Sequence, residues 1–345
     1  MSNSTYIYSV LTLALLALQG CIDPYDYPFE EKTNYLVVEG SITTEPGPHK
    51  VTLTTTRNIR NEKNAFKLRM QNARVTIATS SGWVERLVEQ DTSGVYFTSA
   101  DFRGEVGEKY QLKVVLEDSR EYLSDSVQLQ AMADIDSIGI KYGSESYVSE
   151  LNSALESTGF FVDAFVREPA KQTSYYRARW RYTYLINTVG QTPRTCWINV
   201  SPLEYGVFSS EQVVSNNITQ YPLFFLPVRG VMFAEKIKVD VTISSENFAS
   251  YQFWNSVYNT TYRQGGVFDP TPAFIPSNVH SVNEPGEIVL GQFSASDVKN
   301  VTKNIYARDF PERVDTEINY TEPCFKYPRE DHSTITDVEP HDWND

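Results

Sequence analysis

Apolar and polar residues alternate in short stretches from residue 35 onward. The pattern is clear over residues 50–55, 74–79 and 110–116, and Ser80–Gly82 supplies a hairpin-type turn. Alternation over four to eight residues indicates a half-buried β-strand, and such strands at a spacing of roughly 8–12 residues are typical of a β-sandwich. Residues 34–130 therefore predict an N-terminal immunoglobulin-like β-sandwich.

The alternation pauses and then returns. Residues 131–158 are more polar, and we interpret them as a connector with room for a short helix between Ser144 and Ser157. Residues 159–328 then predict a second β-rich domain. Its alternating stretches include 160–166, 176–184 and 237–243.

One segment of the second domain has a helical rather than a strand period. Five aromatic residues recur at intervals of three or four, namely Phe248, Tyr251, Trp254, Tyr258 and Tyr262. This spacing predicts one amphipathic aromatic helix at about 246–263. Ser244 or Ser245 can cap its start, and Gly265–Gly266 can end it. An aromatic stripe of this kind is more typical of packing against a sheet than of a ligand platform.

The stretch 176–184 carries aromatic residues on one face and Arg177, Arg179 and Arg181 on the other. The favoured interpretation is a core strand with a solvated basic face, and the functional alternative is a basic stripe that faces an acidic partner.

A proline-rich aromatic loop follows the predicted helix over residues 266–276. Proline cannot occupy an interior strand, so the loop either wraps the sheet or forms an exposed contact site. Its candidate contact residues for a partner or ligand are Phe268, Pro270, Pro272 and Phe274. The acidic tail, residues 329–345, is expected to be frayed.

The N-terminal segment predicts a lipoprotein signal peptide over residues 1–20. The apolar run 9–18 is shorter than the ~20 residues of a membrane-spanning helix, and it leads into Leu18-Gln19-Gly20-Cys21. A small residue before a cysteine is the lipobox pattern, in which the sulfur of Cys21 receives diacylglycerol and acyl chains hold the protein on a membrane. No Lys or Arg precedes the run, and Gln19 is larger than the usual residue. The alternative is an ordinary cleaved signal with a coincidental cysteine.

Residues 21–33 contain Pro24, Pro28 and several acids, and we expect a tether. If Cys21 is lipidated, Cys196 and Cys324 are free to pair in an exported protein, which predicts a disulfide. Two buried free thiols are the alternative. The net charge of −14 disfavours nucleic-acid binding, because an acidic surface repels phosphates.

The sequence predicts no catalytic residue, metal ligand or cofactor. The four histidines lie far apart, and none has a neighbouring His or Cys at ligand spacing. No phosphate loop, dinucleotide fingerprint, nucleophile elbow or His-Glu-x-x-His motif is present. A hydrolase with an unrecognised site stays open as an alternative.

Several stretches in order resemble the Bacteroidota outer-membrane lipoprotein family described as domain of unknown function 4249 (DUF4249). The matching pieces are residues 21–25, 35–48, 102–112, 196–197, the aromatic helix, 266–272, 275–278 and 291–296. The resemblance implies a lipid-anchored protein of the cell outer membrane, often encoded beside SusC-like TonB-dependent transporters. It carries over no catalytic residue.

The leading hypothesis is a non-enzymatic, surface-exposed rather than periplasmic lipoprotein. It would act as an accessory subunit of a SusC-like TonB-dependent transporter complex and aid ligand capture or uptake. The alternatives are a stand-alone surface binding or adhesion module, and a structural or assembly subunit of another outer-membrane protein complex.

Overall fold

The alternating stretches form strands in the computed structural model. It describes residues 34–56, 68–148, 154–169, 172–189, 193–211, 218–228, 230–262, 274–309, 320, 323–327 and 332–344. The predicted signal peptide, Cys21 and the tether lie outside the described residues. So do Phe268, Pro270 and Pro272 of the proline-rich loop.

The strands are β1 (Leu36–Thr43), β2 (Lys50–Thr55), β3 (Leu68–Arg69), β4 (Arg74–Thr79), β5 (Val84–Arg86), β6 (Val88–Glu89), β7 (Val95–Phe97), β8 (Lys109–Val115), β9 (Glu121–Ser124), β10 (Val127–Gln128), β11 (Asp134–Val148), β12 (Ala154–Arg167), β13 (Tyr175–Asn187), β14 (Thr195–Val200), β15 (Gly206–Ser209), β16 (Ile218–Pro227), β17 (Lys236–Glu246), β18 (Val279–Ser281), β19 (Val289–Ser296), β20 (Val298–Tyr306) and β21 (Ser333–Thr336). Helix α1 spans Phe248–Tyr262, and short 3-10 turns lie at Gly230–Phe233, Ala307–Asp309 and Cys324–Lys326.

The first sandwich is built from two sheets. Sheet A has the order β19-β1-β2-β7-β6 with β3 beside β2, and sheet B has the order β18-β9-β8-β4-β5 with β10 beside β8. Alternate residues of β8, namely Tyr110, Leu112 and Val114, are buried in one core to which both sheets contribute. The predicted mainly β fold with an N-terminal sandwich is thus confirmed.

The first sandwich is completed by strands that come late in the chain. Strand β19 pairs with β1 in parallel, from Leu36 opposite Val289 to Thr43 opposite Ser296, and β18 pairs with β9. Residues 279–296 fall within the range 159–328 that the sequence predicts for the second domain. They pair with the first sandwich instead. Parallel strands require a long crossover between them, and the second sandwich supplies that crossover between β1 and β19.

The second sandwich encloses its own core between sheets C and D. Sheet C has the order β11-β12-β16, and sheet D has the order β20-β17-β13-β14-β21 with β15 beside β13. Its buried residues include Phe160, Val162, Tyr176, Val239 and Val241.

The prediction of a connector at 131–158 is wrong. Its described residues belong mainly to β11 and β12, which pair from Asp134 opposite Arg167 to Val148 opposite Ala154, so no helix forms among those between Ser144 and Ser157. Strand β16 pairs with β12 only from Gly159 onward. The arms therefore continue beyond the sheet as a two-stranded ribbon, and a ribbon without a buried face shows no apolar alternation.

The aromatic helix is confirmed as α1, although a different residue caps it. Ser244 and Ser245 belong to β17, and the side chain of Asn247 accepts the backbone N–H of Ser250 at 2.8 Å. Within the described ranges, no helix is long and apolar enough to cross a bilayer.

The prediction that the tail, residues 329–345, is frayed is also wrong. Its described residues 332–344 are folded onto sheet D, where β21 pairs with β14 and Trp343 is 2% exposed. An apolar anchor overrides the acidic composition that suggested fraying.

Gly291 allows the parallel pairing of β1 and β19. Its φ is +90°, and a methyl group at this position would overlap the backbone carbonyl of Val38. We predict that Gly291→Ala lowers the free energy of unfolding by about 2–5 kcal/mol, because it adds a backbone clash to a strained φ. Chemical denaturation measures the effect.

Gly286→Ala is the matched control. Gly286 has a φ of +105° but open space around it, so only the conformational cost of about 1–2 kcal/mol applies. Equal losses for the two variants would show that the approach of β1 to β19 is not close.

Candidate functional site

The outer face of sheet D concentrates polar and aromatic side chains. Along β13, Tyr176, Ala178 and Trp180 point into the core, so the intervening arginines lie on the opposite face. Helix α1 covers one end of this face, and the C-terminal tail covers the other.

Under the helix, Arg177 and Glu246 form a buried ion pair. Arg177 Nε lies 3.1 Å from Glu246 Oε1, and the two side chains are 7% and 0% exposed. The guanidinium carbon lies 4.2 Å from the ring centroid of Trp254, a cation–π contact. Burial raises the pKa of Glu246, and the charge of Arg177 opposes that rise. The ion pair joins β13 to β17, and the contact of Arg177 with Trp254 links this pair to helix α1.

Helix α1 also contacts the first sandwich. Gln292 of β19 donates its side-chain N–H to Ser250 Oγ at 3.2 Å, and both residues are buried. On the side of sheet D, Tyr205 lies 5.5 Å from Trp254 and 6.1 Å from both Tyr258 and Tyr262 between ring centroids. The helix thus lies between the two sandwiches.

Asp297 joins the sandwiches where β19 passes into β20. Its carboxylate accepts the Thr44 hydroxyl at 2.7 Å and the Met132 N–H at 2.9 Å. Its own N–H donates to Ser245 Oγ at 2.9 Å. Three chain segments therefore meet at this one residue, two at its carboxylate and one at its backbone N–H.

The other end of the face is held by two buried lysines. The Nζ atoms of Lys236 and Lys238 donate to the backbone carbonyls of Trp343 and Asp342, respectively. Lys238 Nζ also lies 3.0 Å from Asp342 Oδ2, which lowers the pKa of that carboxyl. The ring of Trp343 packs on Leu185 and Trp197.

A cavity of about 350 Å³ lies between the tail and the sheet. Arg181 lines it and pairs with Asp240 at 2.9 Å. Its remaining polar lining includes Thr183, Asn199 and Lys238. Because its cations are paired with its acids, this cavity needs no charged ligand.

Arg179 differs from both of its arginine neighbours. It has no hydrogen bond or ion pair with another residue that the structure describes, and its side chain is exposed. Burial nevertheless lowers the pKa of Arg179, and the charge of Arg177 lowers it further. Arg179 is therefore the arginine of this face that has no acidic partner among the described residues.

The disulfide is confirmed. Cys196 of β14 is bonded to Cys324 over a Cα–Cα distance of 6.3 Å and a sequence separation of 128 residues. The bond ties the chain that leads into the tail to the strand beside which the tail docks.

The sequence-predicted contact residues are not brought together in the described chain. Phe274 alone among them is described, and it is 60% exposed. The three arginines do lie on one face of β13, but Arg177 and Arg181 form ion pairs with acidic residues of the protein itself. The tail contacts of Lys236, Lys238 and Trp343 were missed, although a tryptophan in an acidic tail was a usable signal.

No group of three His, Cys, Asp or Glu side chains in the described part of the chain could hold a metal ion.

We predict that Glu246→Ala lowers the free energy of unfolding by about 3–5 kcal/mol, because it leaves the Arg177 charge buried without its partner. The double variant Arg177→Met/Glu246→Leu should recover much of the loss, since no buried charge remains. Chemical denaturation of the single and double variants measures both effects.

The control is Asp118→Ala, which breaks the exposed pair with Arg120 and should cost less than about 1 kcal/mol. A cost as small for Glu246→Ala would contradict the structural importance of the buried pair.

Acid should release the tail. The pKa of Asp342 is depressed below its ordinary value of 3.8, so its docked carboxylate stabilises the tail above that pH, and the stabilisation is lost as pH falls through the depressed value. The ¹⁹F resonance of fluorotryptophan at Trp343 should report the release. Asp342→Asn should remove this pH dependence, whereas Asp337→Asn, at an exposed pair with Arg194, should retain it. A Trp343 resonance that does not change with pH in the unmodified chain would contradict the predicted release of the tail.

The model of a family described as domain of unknown function (DUF4249) matches residues 22–302, and the chain belongs to that family. No curated protein and no solved structure matches the chain.

Proposed function

We propose that this DUF4249 protein is a non-enzymatic lipoprotein of the cell outer membrane, held there by acyl chains on Cys21 and exposed at the surface. It serves as an accessory subunit of a SusC-like TonB-dependent transporter and aids ligand capture or uptake.

The N-terminal segment supports the anchor. The apolar run ends immediately before Cys21, and the family match begins at residue 22, directly after that cysteine. A removed signal followed by a lipidated cysteine has this arrangement, and two or more acyl chains give stable membrane attachment. The disulfide is consistent with an exported protein.

The observation that carries the capture role is Arg179, an exposed arginine of β13 that has no hydrogen bond or ion pair with another described residue. It lies on the outer face of sheet D, of which helix α1 covers one end and the C-terminal tail the other. Its guanidinium, a planar fork of N–H donors, is available to an acidic ligand or partner.

Affinity purification from outer membranes tests the role. A tag inserted at Gly82 leaves the tail free, because the turn there is exposed and nothing lies within 4 Å of the glycine's added methyl position. We expect a TonB-dependent barrel to co-purify with the tagged protein. Recovery as a lone monomer would contradict the accessory role, and recovery with barrel-assembly proteins instead would favour an assembly subunit.

The anchor has its own test. Metabolic labelling with an alkyne fatty acid should label the protein, and Cys21→Ala should abolish both the label and membrane retention. Membrane retention of unlabelled Cys21→Ala would show that another segment attaches the protein.

A further inference from the structure

We propose that the cavity between the C-terminal tail and sheet D binds a neutral saccharide unit. The hydroxyls of the ligand bond to polar side chains of the sheet, and its ring lies against apolar side chains of the tail. The proposal goes beyond the function proposed above and does not depend on Arg179, because that arginine does not line the cavity.

The cavity has the size of a small-molecule site. Its volume of about 350 Å³ lies within the range of about 300–1,000 Å³ that such sites occupy. One wall consists of side chains from β13, β14 and β17, and the opposite wall consists of residues 336–343 of the docked tail. A ligand in this cavity therefore contacts the sheet and the tail at the same time.

The sheet side of the cavity has hydrogen-bond donors that the described chain does not use. Asn199 accepts the Thr183 hydroxyl at 2.8 Å through Oδ1, and no described residue accepts a hydrogen bond from its amide nitrogen. Arg181 donates through Nε to Asp240 at 2.9 Å, whereas its Nη2 lies 3.8 Å from Asp342, beyond hydrogen-bond range. An amide and a guanidinium fork therefore offer N–H groups to a ligand.

Hydrogen-bond acceptors lie beside these donors. The carboxylate of Asp240 accepts one bond at each oxygen, from Arg181 at Oδ2 and from the Thr302 hydroxyl at Oδ1, which leaves each oxygen a second lone pair. The Thr336 hydroxyl accepts the N–H of Val338 at 3.0 Å and can donate its own hydrogen. Because a hydroxyl group both donates and accepts, a ligand with several hydroxyls matches this mixed set.

The charges of the lining favour a neutral ligand. Its two cations are paired, Arg181 with Asp240 and Lys238 with Asp342. The one further carboxylate in the described lining is that of Glu339, which is exposed to solvent. An anion would meet this excess of acids, and a cation would compete with the two paired cations for their carboxylates. A neutral ligand disturbs neither pair.

The tail supplies the apolar part of the lining through Val338 and Pro340. Val338 is 69% exposed, so its side chain is open to a ligand. The ring of Trp343 is used elsewhere, because it packs on Leu185 and Trp197 and is 2% exposed. A sugar ring has hydroxyls at its rim and C–H groups on its faces, so it fits a cavity with polar strands on one side and aliphatic side chains on the other.

The probes are the methyl α-glycosides of glucose, galactose and mannose, which differ only in the direction of single hydroxyls. Ligand-observed NMR on the full chain in detergent should show saturable binding of at least one of them, with a Kd in the millimolar range expected for a fragment of this size. Cyclohexanol, glucuronate and glucosamine are the comparison ligands. Each should bind more weakly, because cyclohexanol lacks the array of hydroxyls and the other two carry a charge.

Asn199→Ala should weaken glycoside binding about fivefold, because it removes one hydrogen-bonding group. Asn187→Ala is the matched control. Asn187 lies in the same sheet and accepts the Thr195 hydroxyl at 2.9 Å, but it does not line the cavity, so binding should be unchanged. Arg181→Lys keeps the charge opposite Asp240 without the fork and should also weaken binding. This variant preserves the test if Asn199→Ala fails to fold.

The tail provides a second readout. A ligand held between sheet and tail binds only the docked tail, so it should shift the acid release reported by Trp343 to lower pH. The charged and titratable groups that face Asp342 are Arg181, Lys238 and His341. The same shift should be smaller in Asn199→Ala at an equal glycoside concentration.

The absence of saturable binding for all three glycosides would overturn the proposal, as would cyclohexanol binding of equal strength. A loss of less than twofold in both Asn199→Ala and Arg181→Lys would show that the glycoside lies elsewhere. Tighter binding of glucuronate or glucosamine would overturn the assignment of a neutral ligand. These measurements need neither a membrane nor a barrel, so their outcome is independent of the co-purification test.

Discussion

The buried ion pair of Arg177 and Glu246 is the constraint on which the rest of the molecule depends. Both charges are removed from water, so each is tolerable only while the other and the ring of Trp254 stay in place. The contact of Arg177 with Trp254 links helix α1 to sheet D, and Gln292 links the helix to the first sandwich. The two sandwiches are joined by this helix and by the hydrogen bonds of Asp297.

The two ends of the arginine face show the same physical solution with different elements. At one end a helix supplies an aromatic ring over a guanidinium. At the other, the tail supplies Trp343 beneath the ammonium group of Lys236, 4.8 Å from the ring centroid. In both places an aromatic ring packs against a buried cation that also contacts an oxygen atom of the protein. Arg179 lies between these two arrangements and shares neither, which is why it stands out chemically.

The strands and the helix could be predicted because their apolar periods are local. Tyr110, Leu112 and Val114 show it for β8, and the aromatic spacing shows it for α1. The pairing of β19 with β1 could not be predicted. The alternation of apolar residues shows that each segment is a strand, but it does not show which strand lies beside it. The two-stranded ribbon, where β11 and β12 extend beyond the end of β16, was missed because its described residues bury neither face. For the candidate site, the alternation identified the three arginines, but only the structure shows which of them are paired.

The return of the chain to sheet A affects how the protein can fold. The first sandwich needs strands from the segments 34–130 and 279–296, and sheet D of the second needs β20 and β21, which come later still. Neither core is contiguous in sequence, so the first cannot close before residues 279–296 emerge, and the second waits for β20 and β21. A polypeptide that is threaded across a membrane from its N-terminus therefore exposes unpaired β1 and β9 edges until residues 279–296 have crossed. Such edges are sites of misassociation, which makes protection of the chain during transit a physical requirement of this topology.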